Sequence, residues 1–244
     1  MIPPRIKRIA RWIYGRLASR REIAAYLSTT SNPRLNLGCG HNVLPGWLNV
    51  DLEGGRHGTV FMDASRDWPL PDNSFQAILC EHTIEHLPKE TGKRILFEAL
   101  RVLKPGGQIR IVTPDLATVA TLIRGPADRT SENYLRFVAA FHNTNTLSQT
   151  DAVNRLFYDY GHQYIYSAAE LKQHLEAAGF IQVRETRAGH PYSVLFHGAE
   201  GHPNFMGLEN DAFEAFGLEG VKPPASAQSL MLQRLARTES SLAQ

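Results

Sequence analysis

The sequence has little cysteine, no long apolar run and almost no net charge. Its 244 residues include two cysteines, Cys39 and Cys80, which are too few for a disulfide framework and do not form a C-x-x-C pair. We therefore expect a reducing, cytoplasmic compartment. The absence of about 18 consecutive apolar residues excludes a membrane-spanning helix. The first residues also lack the apolar region and cleavage site of a secretory signal.

The small net charge of +2 conceals an uneven distribution: residues 1–34 hold eight Lys or Arg and one Glu, whereas the remainder holds 18 basic and 23 acidic residues. Apolar residues at helical spacing predict an amphipathic helix over residues 5–27, within a basic N-terminal segment of residues 1–31. Three roles are open for it: packing on the following domain, lying on an anionic membrane through residues 5–21, or binding nucleic acid. We favour them in that order.

Short apolar segments alternate with helical patterns from residue 32 to the end. Strands are predicted at residues 34–37, 46–51, 59–62, 75–80, 108–112, 180–186 and 229–235. Helices are predicted at residues 83–103, 115–124 and 167–178, and residues 188–224 are expected to be loop. This order indicates one α/β domain over residues 32–244, with a Rossmann-like, mainly parallel seven-stranded sheet and helices on both faces. A helical, aromatic-rich insertion is expected at about residues 126–166.

Residues suited to binding a nucleoside follow four of the predicted strands. They are Gly38-Cys39-Gly40, Asp51, Asp63-Ala64 and Glu81-His82. In an open parallel sheet, ligands bind at the carboxyl ends of the strands. Glycines allow a close backbone approach, and a carboxylate can accept hydrogen bonds from both ribose hydroxyls. Each signal alone is common in turns and caps, so the prediction depends on their order and spacing.

Five segments resemble class I S-adenosylmethionine-dependent methyltransferases of the type-11 group. They are LNLGCG at residues 35–40, GWLNVD at 46–51, WPLPDNSF at 68–75, HTIEHL at 82–87 and RVLKPGG at 101–107. The resemblance is strong over about residues 34–115 and looser as far as residue 180. It implies the fold and S-adenosylmethionine as the cofactor, but it says little about the methyl acceptor.

The resemblance also implies roles for individual residues. Gly38 and Gly40 would approach the methionine part of the cofactor, Asp51 would hold the ribose, and Glu81 with His82 would flank the sulfonium. Adenine would be held by the pair Asp63 and Ala64, and the predicted cofactor contacts are completed by Cys39 and Leu52.

Two features depart from the pattern of the group. The third glycine of the turn is replaced by Asn42, which tolerates the left-handed conformation. Only residues 40–46 separate the first two strands, whereas a parallel crossover usually needs a dozen or more residues and contains a helix. The first crossover helix is therefore predicted to be missing or reduced to one turn.

Methyl transfer from a sulfonium mainly needs alignment and water exclusion, and a base helps if the acceptor is a hydroxyl. His82 and His162 rank first as catalytic residues, ahead of His86 and Asp115, although most histidines in any protein are structural. We expect no metal site. Three histidines of the late loop could bind an ion together with Glu200 only if they converged, and their spacing does not show this. They are His190, His197 and His202.

The sequence therefore predicts an enzyme that transfers a methyl group from S-adenosylmethionine to oxygen or nitrogen of a small-molecule or glycan acceptor. One alternative is a nicotinamide-dependent oxidoreductase, although Val43 stands where the last glycine of the G-x-G-x-x-G motif would be. The other is a non-catalytic binding protein that keeps the fold. Binding of nucleic acid by the whole chain is not favoured.

Overall fold

The computed structural model describes residues 19–54, 58–124 and 128–226. Its centre is one seven-stranded sheet with the strand order β3-β2-β1-β4-β5-β7-β6. The strands are β1 (Arg34–Leu37), β2 (Leu48–Asp51), β3 (Thr59–Phe61), β4 (Phe75–Glu81), β5 (Leu103–Pro114), β6 (Ile181–Arg187) and β7 (Ala215–Val221). Strands β1 to β5 pair in parallel, and β7 runs antiparallel to both β5 and β6. The predicted Rossmann-like, mainly parallel seven-stranded sheet is confirmed.

The helices are α1 (residues 19–29), α2 (Lys89–Val102), α3 (Leu116–Arg124), α4 (Arg129–Phe141), α5 (Gln149–Tyr158), α6 (Ala168–Ala178), α7 (His202–Met206) and α8 (Leu208–Glu214). Three of them, α1, α2 and α6, place apolar side chains such as Ile23, Leu96 and Leu171 in the main core against the sheet. On the opposite face, Ala77 and Leu79 of β4 pack against Phe196 and other apolar residues of the segment 188–201.

Helix α6 begins and ends where the sequence predicts. The side chain of Ser167 accepts a hydrogen bond from the backbone N–H of Glu170 at the first turn. Gly179 ends the helix with φ of 108°, a left-handed conformation that costs a glycine little. The predicted helix over 83–103 divides into a 3-10 turn (Ile84–His86) and α2, because Pro88 stands between them.

The connection between β1 and β2 contains only turns, as predicted from its length. Two buried amide side chains hold it. Asn36 on β1 donates to the backbone oxygen of Asn42 and to the side-chain oxygen of Asn49 on β2. Asn49 in turn bonds both the backbone N–H and the oxygen of Leu44. These hydrogen bonds replace the order that a crossover helix would provide.

The region predicted as an insertion forms α4 and α5, which share a separate apolar cluster with α3 and α7. Its buried members include Leu122, Tyr134 and Met206. The aromatic side chains therefore contribute to a helical core at this end of the sheet. That residues 126–166 are an insertion stays a prediction.

The prediction that residues 188–224 form a loop is wrong. This segment contains a 3-10 turn (Val194–Phe196), α7, α8 and strand β7. The strand predicted at 229–235 lies outside the described residues, and the seventh strand of the sheet is β7. Gly217 and Gly220 explain why β7 was not predicted, because glycine normally weakens a strand. A Cβ at Gly217 would overlap the guanidinium of Arg110, so the glycine allows that close approach.

Arg110 is fully buried in the centre of β5 and binds the late segment to the sheet. Its Nε donates to Glu200 at 2.8 Å, and its Nη1 donates to Glu219 on β7 at 2.9 Å. Glu219 also accepts from the backbone N–H groups of Tyr192 and Ser193. A buried ion pair stabilises only when its remaining polar atoms are satisfied, and this network meets that condition.

Most of the predicted N-terminal helix lies outside the described residues. Its described part, α1, packs on the domain: Ile23 is in the main core, and the hydroxyl of Ser19 donates to the backbone oxygen of Phe61. Within the described ranges, none of the helices has the length and hydropathy needed to cross a bilayer.

Candidate functional site

The four predicted segments follow neighbouring strands in the order β3, β2, β1, β4, and all these strands are parallel. Their carboxyl ends therefore lie along one edge of the sheet. Gly38 and Gly40, after β1, both have positive φ angles, of 66° and 48°. A Cβ at Gly38 would overlap the side chain of Thr83, so only glycine fits between β1 and the turn after β4.

Asp51 ends β2 and reaches across to the glycine turn. Its Oδ2 accepts a hydrogen bond from the backbone N–H of Gly40 at 3.0 Å, and its Oδ1 accepts one from the N–H of Glu53 at 2.9 Å. Each carboxylate oxygen has a second acceptor position. The carboxylate is thus held in place and can still receive ribose hydroxyls.

The two remaining predicted contacts near β1 and β2 differ in exposure. Cys39 is buried, its sulfur lies 3.8 Å from the hydroxyl of Thr59, and burial raises the pKa of its thiol. Leu52 is 63% exposed. A protonated thiol and an exposed leucine can both offer apolar contacts to a cofactor, but neither can hold a charge.

Asp63 follows β3 and is bonded locally. Its Oδ1 accepts from both the backbone N–H and the hydroxyl of Ser65, while the oxygen of Ala64 accepts from the indole of Trp68. Beside Asp63 lies a cavity of about 40 Å³, lined also by Arg20 and Arg66 among others. That volume admits only a few water molecules.

Glu81 ends β4 and holds the segment before α7. One carboxylate oxygen accepts from the amide of Asn42 at 3.1 Å and from the backbone N–H of Gly201 at 2.9 Å. The other accepts from the backbone N–H of His202 at 2.9 Å. Glu81 therefore connects the glycine turn to the first residue of α7, a contact that the sequence did not suggest.

His82 follows Glu81 with a φ of 44°, a strained conformation for a residue with a side chain. Its ring lies against that of His202, with the ring centroids 3.8 Å apart. Burial alone would lower the pKa of His82, but hydrogen bonding to Asp211 and Glu85 holds that pKa well above its usual range. The strained backbone and the two neighbouring carboxylates make His82 a candidate functional residue.

Three acidic side chains surround these two rings. Asp211 and Glu85 are fully buried, and Glu214 is 9% exposed. Asp211 lies 2.7 Å from Nδ1 of His202, Glu85 lies 3.3 Å from Nδ1 of His82, and Glu214 accepts from the hydroxyl of Tyr134 at 2.6 Å. We call the two histidines and three acids the histidine cluster. They are His82, Glu85, His202, Asp211 and Glu214.

His162 lies near this cluster. Its Nδ1 is 2.6 Å from the backbone oxygen of Leu156, and its ring meets that of His86 edge to face with centroids 5.0 Å apart. Burial lowers the pKa of His162, so the neutral imidazole is favoured. Burial also raises the pKa of Asp115, the other carboxylate considered as a base.

Asp211 and Glu214 were not predicted from the sequence, and His202 was not expected beside His82. Glu200, considered with His202 as a ligand, instead bonds Arg110, while both His190 and His197 are exposed. The acidic pattern of α8 was the only available signal, and it lay in a segment predicted as loop.

Comparison with known proteins adds a family. Residues 49–111 match the family model described as a methyltransferase domain. This match identifies residues 49–111 as part of a methyltransferase domain. The match spans β2 to β5, and the strand order and antiparallel β7 differ from the 3-2-1-4-5-6 order of dinucleotide-binding sheets. The resemblance to class I S-adenosylmethionine-dependent methyltransferases is confirmed, with S-adenosylmethionine as the cofactor.

Several solved structures are similar to this methyltransferase domain. One is an S-adenosylmethionine-dependent methyltransferase from Archaeoglobus fulgidus, at 17% identity and a TM-score of 0.45, covering 87% of this chain and 94% of the other. Another, from Thermotoga maritima, has 19% identity and a TM-score of 0.45, with 89% and 96% covered.

A third similar structure is phosphoethanolamine N-methyltransferase 2 from Haemonchus contortus, at 14% identity and a TM-score of 0.42. It covers 83% of this chain, which spans about half, 52%, of that protein. The search of curated proteins found no sequence match.

Proposed function

We propose that this methyltransferase domain transfers the methyl group to an oxygen or nitrogen of a small-molecule or glycan acceptor at the carboxyl edge of the sheet. The observation that supports this most is the hydrogen bond between Asp51 and the N–H of Gly40, which joins the ends of β2 and β1. It orients a carboxylate for the ribose while the glycine turn leaves room for the rest of the cofactor.

The cofactor is proposed to lie along the ends of β3, β2, β1 and β4. Gly38 and Gly40 approach its methionine part, Asp51 holds the ribose, and Asp63 with Ala64 faces the adenine. Contacts from Cys39 and Leu52 are apolar. Glu81 contributes to the methionine end by fixing Asn42 beside the glycine turn, since its carboxylate already accepts three hydrogen bonds.

Asp51→Ala should weaken the binding of S-adenosylhomocysteine by about 1–3 kcal/mol, the scale for removing buried hydrogen bonds. Calorimetric titration of both proteins measures this difference. Glu132→Gln is the matched control, because Glu132 lies on the exposed side of α4 and, among the described residues, forms an ion pair with the exposed Arg136 alone. Equal affinity of Asp51→Ala and wild type would remove Asp51 from the site.

His162 is the better candidate for a general base. Burial favours its neutral form, which can take a proton from an acceptor hydroxyl. The neighbouring acids instead raise the pKa of His82, which makes His82 the weaker candidate for a base. His162→Gln should lower kcat on a hydroxyl acceptor with little change in cofactor affinity.

A panel of hydroxyl and amine acceptors, including sugars, identifies the acceptor class through transfer of a radiolabelled methyl group. Binding of the cofactor without transfer to any acceptor would favour a non-catalytic binding protein.

We also propose that the chain divides into a basic segment, residues 1–31, and a methyltransferase domain, residues 32–244. Contact with an anionic membrane through residues 5–21 is tested by liposome flotation of the full chain and of a chain beginning at Ser31.

A further inference from the structure

The histidine cluster has more buried negative charge than its neighbours compensate. Glu85, Asp211 and Glu214 are buried together, and within the described ranges no Lys or Arg forms an ion pair with any of them. His82 and His202 lie against these carboxylates, and His86 and His162 lie beside Glu85. Burying charge without a partner is costly, so such a cluster calls for a further cation.

One of the two histidines, His202, is oriented as a metal ligand usually is. In metal sites, a ligating histidine donates its second ring N–H to a carboxylate, which fixes the ring and its tautomer. Nδ1 of His202 lies 2.7 Å from Asp211, and Nδ1 of His82 lies 3.3 Å from Glu85. Glu85 is itself fixed by the hydroxyl of Thr113 at 3.0 Å. The ring of His202 therefore directs Nε2 away from Asp211, whereas Nε2 of His82 lies 3.9 Å from Oδ1 of Asp211, beyond hydrogen-bond distance.

The free atoms of the cluster point to an absent partner. Nε2 of His82 is buried and has no hydrogen-bond partner in the described part of the chain, and the same holds for Oδ2 of Asp211. Glu214 uses Oε2 to accept from Tyr134, which leaves Oε1 available. A buried polar atom without a partner is rare in folded proteins and needs an explanation.

The geometry points to a divalent transition-metal site of the zinc type formed by His82, His202 and Glu214. One ligand atom from each lies within 4.8 Å of the other two. Zinc bonds of about 2.0–2.2 Å place ligand atoms roughly 3.3 Å apart, so side-chain shifts of about 1 Å suffice. Two imidazoles with one carboxylate favour zinc or iron over magnesium and calcium, which prefer oxygen ligands alone.

Three protein ligands leave at least one coordination position open, as in catalytic rather than structural zinc sites. A hydroxyl bound there loses its proton more readily, because the ion stabilises the oxyanion. This use of the ion, to activate a hydroxyl acceptor next to the methyl donor, rests on the proposed function. Binding of the ion does not.

Zinc binding is measured on the full-length protein after treatment with a chelator, without cofactor or acceptor. Titration with Zn²⁺ against a chromogenic chelator should give one tight site per chain. His202→Gln and Glu214→Gln should each weaken it at least tenfold. His197→Gln is the matched control, since this exposed histidine lies on the same segment, and it should bind as wild type does.

Binding of S-adenosylhomocysteine is measured on the same samples, so that loss of the zinc site is separated from loss of the fold or of the cofactor site. X-ray absorption at the zinc edge of the wild type needs no variant and should show nitrogen and oxygen ligands with two imidazoles. Sulfur ligation, or no tight site in the wild type, would overturn the proposal.

A second nearby group, Glu85, His86 and His162, also brings ligand atoms within 4.8 Å of one another. His86→Gln distinguishes the two. Loss of zinc in His86→Gln but not in His202→Gln would place the ion there and refute the site proposed here. Retention in His86→Gln with loss in His202→Gln supports it.

Discussion

The methyltransferase domain contains two buried clusters of charge that differ in how well they are satisfied. Around Arg110, one guanidinium meets two carboxylates, a hydroxyl and a backbone oxygen at normal hydrogen-bond distances. The histidine cluster instead leaves buried atoms of His82, Glu85 and Asp211 without hydrogen-bond partners among the described residues. A network in which every polar atom is hydrogen-bonded stabilises the fold, whereas a network with unpartnered polar atoms is suited to bind a further ligand.

The sharpest way to break this comparison is Arg110→Met, which should lower the free energy of unfolding by about 3–5 kcal/mol. Removing the cation strands two buried carboxylates, Glu200 and Glu219, and that cost exceeds the value of the pair itself. Urea denaturation measures the change. Arg136→Met is the control: its exposed pair with Glu132 should be worth at most about 0.5 kcal/mol. Similar losses in both variants would contradict a special role for Arg110.

Glu214→Gln tests the other cluster and should behave differently. Without metal, it should change stability by less than about 1 kcal/mol, because Gln still accepts the hydrogen bond from Tyr134. Zinc at 100 times its Kd should stabilise the wild type by about 2.7 kcal/mol and this variant far less. Urea denaturation with and without zinc gives both values. Equal stabilisation of the two proteins would count against the histidine cluster as the zinc site.

A smaller effect is expected at a partly exposed pair. Hydrogen bonds from Arg101 hold the pKa of Glu98 below its usual value of about 4.3. The stabilisation is therefore complete above that value and is lost as the pH falls through the lower pKa of the folded state. Glu98→Gln should be slightly less stable than the wild type at pH 7.

The gap between Glu98→Gln and the wild type should close in acid, since protonated Glu98 resembles Gln. Urea midpoints from pH 7 down to pH 3 measure this convergence. A gap that stays constant over that range would show that the charge of Glu98 contributes nothing.

The residues at the ends of strands β1 to β4 could be predicted from the sequence, but the structure of the late segment, residues 188–224, could not. Strands β1 to β4 end in glycines and acids at spacings that a parallel sheet requires, so Gly38, Gly40 and Asp51 could be placed together. The short connection between β1 and β2 likewise predicted that a full crossover helix is missing. These features are local, and local patterns survive in a sequence.

The late segment depends on distant partners and therefore misleads. Gly217 reads as a strand breaker, although its missing side chain makes room for Arg110 more than a hundred residues earlier. Glu200 reads as a candidate ligand, although its carboxylate neutralises that arginine. Asp211 and His202 lie on α8 and α7, and the fold that brings them to His82 could not be inferred from spacing alone.

Two neighbouring residues at the end of β4, Glu81 and His82, contact different parts of the structure. The carboxylate of Glu81 accepts a hydrogen bond from Asn42 beside the glycine turn. It accepts two more from backbone N–H groups at the start of α7. The next residue, His82, stacks on the ring of His202, the very residue whose amide Glu81 holds. Under the proposed function, Glu81 therefore connects the methionine side of the cofactor site to the imidazoles on the acceptor side, so a shift of the glycine turn would also move the imidazoles.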